Sequence, residues 1–149
     1  MIGYVLLIVI AVALSIMVFA YLKLYLPKNE PQCYEDVAIA LDDITCENGR
    51  IDFNIVNRGL FTVDGAYIRV GQEGRVFKKT LNEDSLFFGN NVLLPGVVWE
   101  SPIYEYPDGA AGGNFELEVQ PIVFIENKPA LCENAVAKQK ITCSTLQSS

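Results

Sequence analysis

Side chains able to do chemistry are few in this chain, and their spacing suits none of the common reactions. Adjacent carboxylates stand at Asp42-Asp43 and at Glu83-Asp84. Two carboxylates are what glycoside hydrolysis requires, and an oxygen-rich run such as Asn82-Glu83-Asp84-Ser85 is raw material for a calcium loop. Neither falls in a spacing motif, so both read as solvated acidic surface. The sequence contains no histidine. That removes Ser-His-Asp and Cys-His catalysis, His-liganded zinc and haem, and a histidine pH switch. There is no G-x-x-x-x-G-K-[ST], and the glycine-rich run 107–114 (PDGAAGGN) precedes a strand rather than a helix. It reads as a flexible turn, not a phosphate cradle. Tyr104 and Tyr106 could stack on a sugar but suit strand-interior packing better. No N-x-[ST] sequon occurs. The expectation is a protein without catalytic residues, metal or cofactor.

The reactive side chains left are four cysteines, Cys33, Cys46, Cys132 and Cys143, with no C-x-x-C among them. Structural-zinc and thioredoxin-type spacings are therefore missing. An even number behind a hydrophobic segment predicts two disulfides and an oxidising exterior. Residues 36–42 (DVAIALD) and 135–143 (AVAKQKITC) read as strands. At about 3.3 Å per residue, an extended strand keeps Cys33 far from Cys46, and Cys132 far from Cys143. A disulfide needs Cα atoms within about 7 Å, so each bridge should join the first strand to the last. Antiparallel pairing keeps the index sum nearly constant and predicts Cys33–Cys143 with Cys46–Cys132, a bulge absorbing the difference. Parallel pairing gives Cys33–Cys132 with Cys46–Cys143.

The elements that must carry these residues follow from composition. The 149 residues include 18 acidic and 11 basic side chains, a net charge of −7. Nucleic-acid binding, which rests on cations neutralising phosphates, is disfavoured. Every residue from Met1 to Leu22 is apolar except Gly3 and Ser15, and all charges lie from Lys23 onward. As a helix at ~1.5 Å per residue this run is about 33 Å long, matching a bilayer core of roughly 30 Å. Tyr4 at one end and Phe19, Tyr21 and Tyr25 at the other suit the two interfaces. Lys23 and Lys28 mark the exit into water, and Pro27 and Pro31 end the helix. A cleaved signal peptide fits less well, because the run lacks a basic n-region and exceeds a usual h-region. The two lysines after the span place the head in the cytoplasm by the positive-inside count; the cysteines place it outside.

Beyond Lys28 no stretch has helical periodicity. Short alternating runs at 51–57, 66–71, 75–79, 86–88, 92–94, 97–99 and 115–125 are separated by turn residues, with Pro121 interrupting the long strand as at an edge or bulge. Seven to nine strands predict a β-sandwich of immunoglobulin-like or Greek-key type. The fold class is thus mainly β with one long N-terminal α-helix. Its parts are a hydrophobic helix at 1–23, a hinge at 24–32, a disulfide-bonded head at 33–143 and a polar, frayed tail at 144–149.

The run IGYVLLIVIAVALSIMVFAYLK at 2–23 resembles the N-terminal helix of archaeal type IV pilins and archaellins. Those carry a Gly-aromatic pair near the mature start, then an apolar run rich in β-branched residues and alanine, then a β-sandwich head. FNIVNRGLFTVDGAYIRVG at 53–71 is similar to the strand–N-x-G–strand segment of such heads. Precursors of that family begin with a short basic leader, whereas Met1 lies inside the run. The resemblance then implies a mature sequence, a start further upstream, or a chain not processed in that way. It also implies a structural subunit that waits in the membrane and polymerises with copies of itself into an extracellular filament. Gly3, Tyr4, Ala11, Ser15 and Ala20 are the helix residues implicated, the small ones because they let helices approach closely. The alternative is a single-span surface protein whose sandwich binds a ligand.

Overall fold

A computed structural model describes residues 1–26 and 31–145. The chain divides into two compact units, Met1–Glu30 and Pro31–Ser149. The first holds α1 (Ile2–Tyr25). The expected hinge therefore begins later than 24, since Leu24 and Tyr25 are helical; Pro27 and Lys28 lie outside the described residues. Lys23 sits in the last turn, where a cation complements the helix dipole.

The second unit is two antiparallel sheets built from β1 (Ile39–Glu47), β2 (Arg50–Asn57), β3 (Gly65–Gln72), β4 (Lys79–Thr80), β5 (Val98–Glu100), β6 (Tyr104–Glu105), β7 (Gly113–Ile125), β8 (Lys128–Leu131) and β9 (Ala137–Cys143). In one sheet β2 lies between β1 and the short pair β5 and β6. In the other the order is β4-β3-β7, and the far edge of β7 is shared by β9 and β8. β2 alternates as expected, with Ile51, Phe53 and Ile55 buried. Ala66, Ile68 and Val70 of β3, and Phe115, Leu117 and Val119 of β7, face them from the other sheet. This is the inner layer of a sandwich, and burying each such side chain contributes about 1.5–3 kcal/mol before entropy is counted.

Pro121 does not interrupt β7. It pairs with Ala66 and is fully buried in mid-strand. Its carbonyl accepts from Cys132 N–H at 3.0 Å, so its N position faces the edge shared by β8 and β9. β9 pairs with β7 only as far as Val119, and the pairing of β7 with β8 begins at Ile122. The missing donor of proline falls in that gap and costs no ladder bond.

Two tight hairpins set the register. Asn48-Gly49 joins β1 to β2, and Glu126-Asn127 joins β7 to β8, all four residues at positive φ as type I′ turns require. The runs 86–88 and 92–94, expected as strands, contribute only single bridges, Gly65 to Phe87 and Val63 to Leu93. The run 75–79 is likewise a loop, except that β4 begins at Lys79. Ser144 is not frayed: it bridges Glu47. Residues 146–149 lie outside those described.

Candidate functional site

The disulfides connect Cys33 to Cys132 and Cys46 to Cys143, with Cα separations of 5.1 and 4.6 Å. The antiparallel pairing expected from the index sums is wrong, and the parallel alternative is what occurs. β1 and β9 are not neighbours in one sheet. Each is an edge strand of its own sheet, and the two run parallel across the open side of the sandwich. A parallel Glu47–Ser144 bridge joins their ends. There Ser144 N–H donates to Cys46 O and Asn48 N–H donates to Ser144 O, at 3.0 and 2.9 Å. One bond sits at each end of the seam, so the first and last segments of the head are tied to each other twice. Bulging at Asp42–Thr45, with Asp43 at φ 46°, disturbs the free edge of β1 and makes it a poor template for another strand.

The glycine-rich run is not a flexible turn. Pro107–Ala111 is a short 3-10 helix whose buried Gly109 packs over the second bridge. A Cβ on Gly109 would lie 3.0 Å from Tyr106 Cδ1 and 3.3 Å from Cys143 Sγ. Tyr106 is itself buried, edge-on to Phe115 at 5.4 Å between ring centres. Tyr104 packs near Phe53, and burial pushes its phenol up to about 12. Both tyrosines thus serve packing, as strand-interior aromatics do.

The N-x-G segment has a physical explanation. Asn57 is wholly buried; its Nδ2 donates to Phe61 O and Leu93 O, both at 2.8 Å, and its Oδ1 accepts from Gly59 N–H at 3.0 Å. Arg58 and Gly59 N–H both donate to Ala38 O, and a Cβ on Gly59 would sit 2.4 Å from Asp36 O. Only glycine allows that approach.

Of the carboxylate pairs, Asp42-Asp43 occupies the bulge, with Asn54 Nδ2 donating to Asp43 at 3.2 Å. Glu83 and Asp84 are exposed. Asn82, at the start of the oxygen-rich run read as solvated surface, is instead turned inward. Its Oδ1 accepts from Ile68 N–H and its Nδ2 donates to Ala66 O, at 2.9 and 2.8 Å. It clasps the loop to β3. Among the described residues no group of His, Cys, Asp and Glu is arranged to hold a metal ion. The concentrated charge lies on the outer face of the second sheet. Lys78 bonds both Glu116 and Glu118, the latter at 2.7 Å, and Arg69 bonds Glu118 at 3.1 Å. Burial alone would raise the Glu118 carboxyl. Lys78, Arg69 and Lys138 outweigh it and hold the group below its usual range. For Lys78, burial lowers the pKa but Glu116 and Glu118 carry it above the usual lysine value.

The helix is apolar on every side, and none of its residues is buried. By length and composition it can cross a membrane, a property that export signals near an N-terminus share. Of the residues singled out on it, Ala11 and Ser15 are brought together: Ser15 Oγ donates to Ala11 O at 2.9 Å, which turns the hydroxyl onto its own backbone. They floor a shallow furrow walled by Ile8, Val12, Ile16 and Phe19. At ~100° per residue Tyr4 lies on the same side, Gly3 roughly 80° or more away, and Ala20 about 140° from Ser15. Ala20 therefore does not extend the small face, and Gly3 lies at its margin. The Tyr21 and Tyr25 rings lie against each other at a tilt, 4.4 Å between centres. Together, an apolar helix suggests membrane insertion or export, and two disulfides suggest an extracellular head. No protein-family model matches the chain, and no curated protein matches it in sequence.

Proposed function

We propose that this protein is a structural subunit of an extracellular, type IV pilus-like filament, polymerising through α1, rather than an enzyme. The observation that carries the reading is the contrast within one chain. One unit is a 24-residue helix with no buried residue and no polar face; the other is a head with a core of its own, closed by two disulfides. Such a helix is stable only in lipid or among other apolar helices. A filament core supplies the second after the membrane supplies the first. The archaeal pilin-like pattern of the sequence supports the same assignment, and the partners it calls for are copies of this chain, with no nucleic acid.

Cells displaying the protein can be sheared and the medium sedimented. Wild type is expected in filaments released into the medium. The Ala11→Arg variant should release no filament and stay in the membrane fraction. In lipid the arginine can snorkel toward the interface, whereas buried in a helix bundle it has no such escape and costs several kcal/mol. Wild-type protein found only in membranes, as a monomer, would support a single-span binding module instead.

A further inference from the structure

The most exposed large apolar side chains of the head stand side by side. Val76 and Phe77 are 91% and 93% exposed, on the loop from β3 to β4. Apolar residues scattered singly over a surface need no explanation; two adjacent ones between cations on a held loop do. Arg75 and Lys79 flank them, both exposed and neither in an ion pair among the described residues. The loop is anchored. Arg75 N–H donates to Gln72 O at 3.1 Å, and Lys78 is drawn onto the sheet by Glu116 and Glu118. Drawing Lys78 in leaves Val76 and Phe77 presented outward on a fixed support.

The tip lies at one end of the head. β3 pairs with β7 so that Gln72 is opposite Phe115, while Cys132, bonded to Cys33, donates to Pro121 O. The end where the chain enters is thus six residues along β7 from the tip's base, about 20 Å. That entry end carries the complementary chemistry. Glu35, Asp36 and Glu133 are exposed there, and Leu60, 74% exposed, is held beside them by its N–H bond to Asp36 O at 3.0 Å. Tyr34 stacks on Phe61 next to it, and Arg58 is the basic residue of the patch.

From this placement we infer that the Arg75–Lys79 tip docks on the Glu35, Asp36 and Leu60 patch of a second copy of this chain. Both ends carry exposed apolar residues, and their net flanking charges are opposite, three carboxylates outnumbering Arg58 at the entry end. A contact between different patches of identical subunits does not close on itself and propagates as an open polymer. A hairpin tip is too small to hold two free heads together. Along a filament it is repeated, and the helix bundle raises the local concentration of each neighbour. The inference rests on the filament reading and gives it a second contact outside the core.

The test places p-benzoyl-phenylalanine at position 77 of the full chain, irradiates intact cells, and maps the adducts by mass spectrometry. The expected product joins two copies, position 77 of one to residues 34–36 or 57–61 of the other. An adduct to lipid, to another protein or to a different part of the head overturns the inference, as does filament with no two-copy adduct. If no filament forms, the filament reading itself fails and the contact, which rests on it, fails with it; filament without the two-copy adduct overturns the contact alone. In parallel, R75E/K79E should cut the filament released by about tenfold in a salt-sensitive way. Adding E35K/D36K should restore it. Full assembly of R75E/K79E, or no restoration, contradicts the pairing.

Discussion

The helix and the head answer the same physical problem in opposite ways. In the head, β2, β3 and β7 bury one face each against the other sheet. The buried amides of Asn57 and Asn82 are fully bonded, and the two chain ends are sewn together. In α1 the backbone satisfies itself but no side chain is buried. The head carries its stability within itself, whereas the helix takes its stability from its surroundings.

The largest effect expected is on the boundary between the two. A chain starting at Pro31 should lose all membrane and filament association. Its head should fold as a soluble monomer, with a denaturation free energy within about 0.5 kcal/mol of the full-length value. Chemical denaturation in detergent and in buffer compares them. Failure of the shortened chain to fold would mean that the units are not independent.

Removing the disulfides attacks the head alone. Each closes a loop of nearly a hundred residues, with sequence separations of 99 and 97. Loss of one pair, as Cys46→Ser with Cys143→Ser, should cost about 2–4 kcal/mol, and loss of both should leave the head open to proteases. Helix content in membranes should not change, which circular dichroism of reconstituted protein would read. Non-reducing peptide mapping must return Cys33–Cys132 and Cys46–Cys143.

A smaller effect sharpens the role of the N-x-G segment. Asn57→Ala removes a buried side chain making three hydrogen bonds, one buried and two part-buried, and leaves Phe61 O and Leu93 O without that donor. A cost of about 1–3 kcal/mol is expected in a urea titration. A neutral result would mean that the amide is not needed to hold that loop.

The smallest effect is electrostatic. The folded pKa of Glu118 is lowered, so its contribution is present above the ordinary carboxylate value, about 4.3, and is lost as pH falls through the folded value. Lys78→Met should raise the Glu118 titration toward that ordinary range, measured by carboxyl-carbon NMR. The head should then lose less stability on acidification than wild type does.

Much of this division is legible in the sequence, because the head alternates with period two whereas the helix is an unbroken apolar run with no polar face. β2, β3 and β7 alternate plainly, and the uninterrupted apolar run of α1 is unmistakable. The disulfide pairing is harder to read, since strand alternation reports a buried face but not the sheet to which a strand belongs. β1 and β9 look like partners in one ladder yet lie in different sheets. The Asn48-Gly49 dipeptide signals the type I′ turn that pairs β1 with β2, but β1 keeps a second edge, so no local signal assigns β9 to the other sheet. Residues 75–79 read as a strand, but the Glu116 and Glu118 that capture Lys78 come from nearly forty positions away, beyond the reach of local pattern. On the helix, the meeting of Ala11 with Ser15 follows from their spacing of four, as does the placement of Ala20 on another side.

The central claim is that α1 exchanges lipid for copies of itself. Cryo-electron microscopy of the material sheared from cells expressing the full chain tests it most directly. The account predicts filaments with a core of α1 helices packed on one another, Ala11 and Ser15 at a helix–helix contact, and the two-sheet heads outside. The chain found solely in the membrane fraction, or filaments whose core contains no α1, would contradict it.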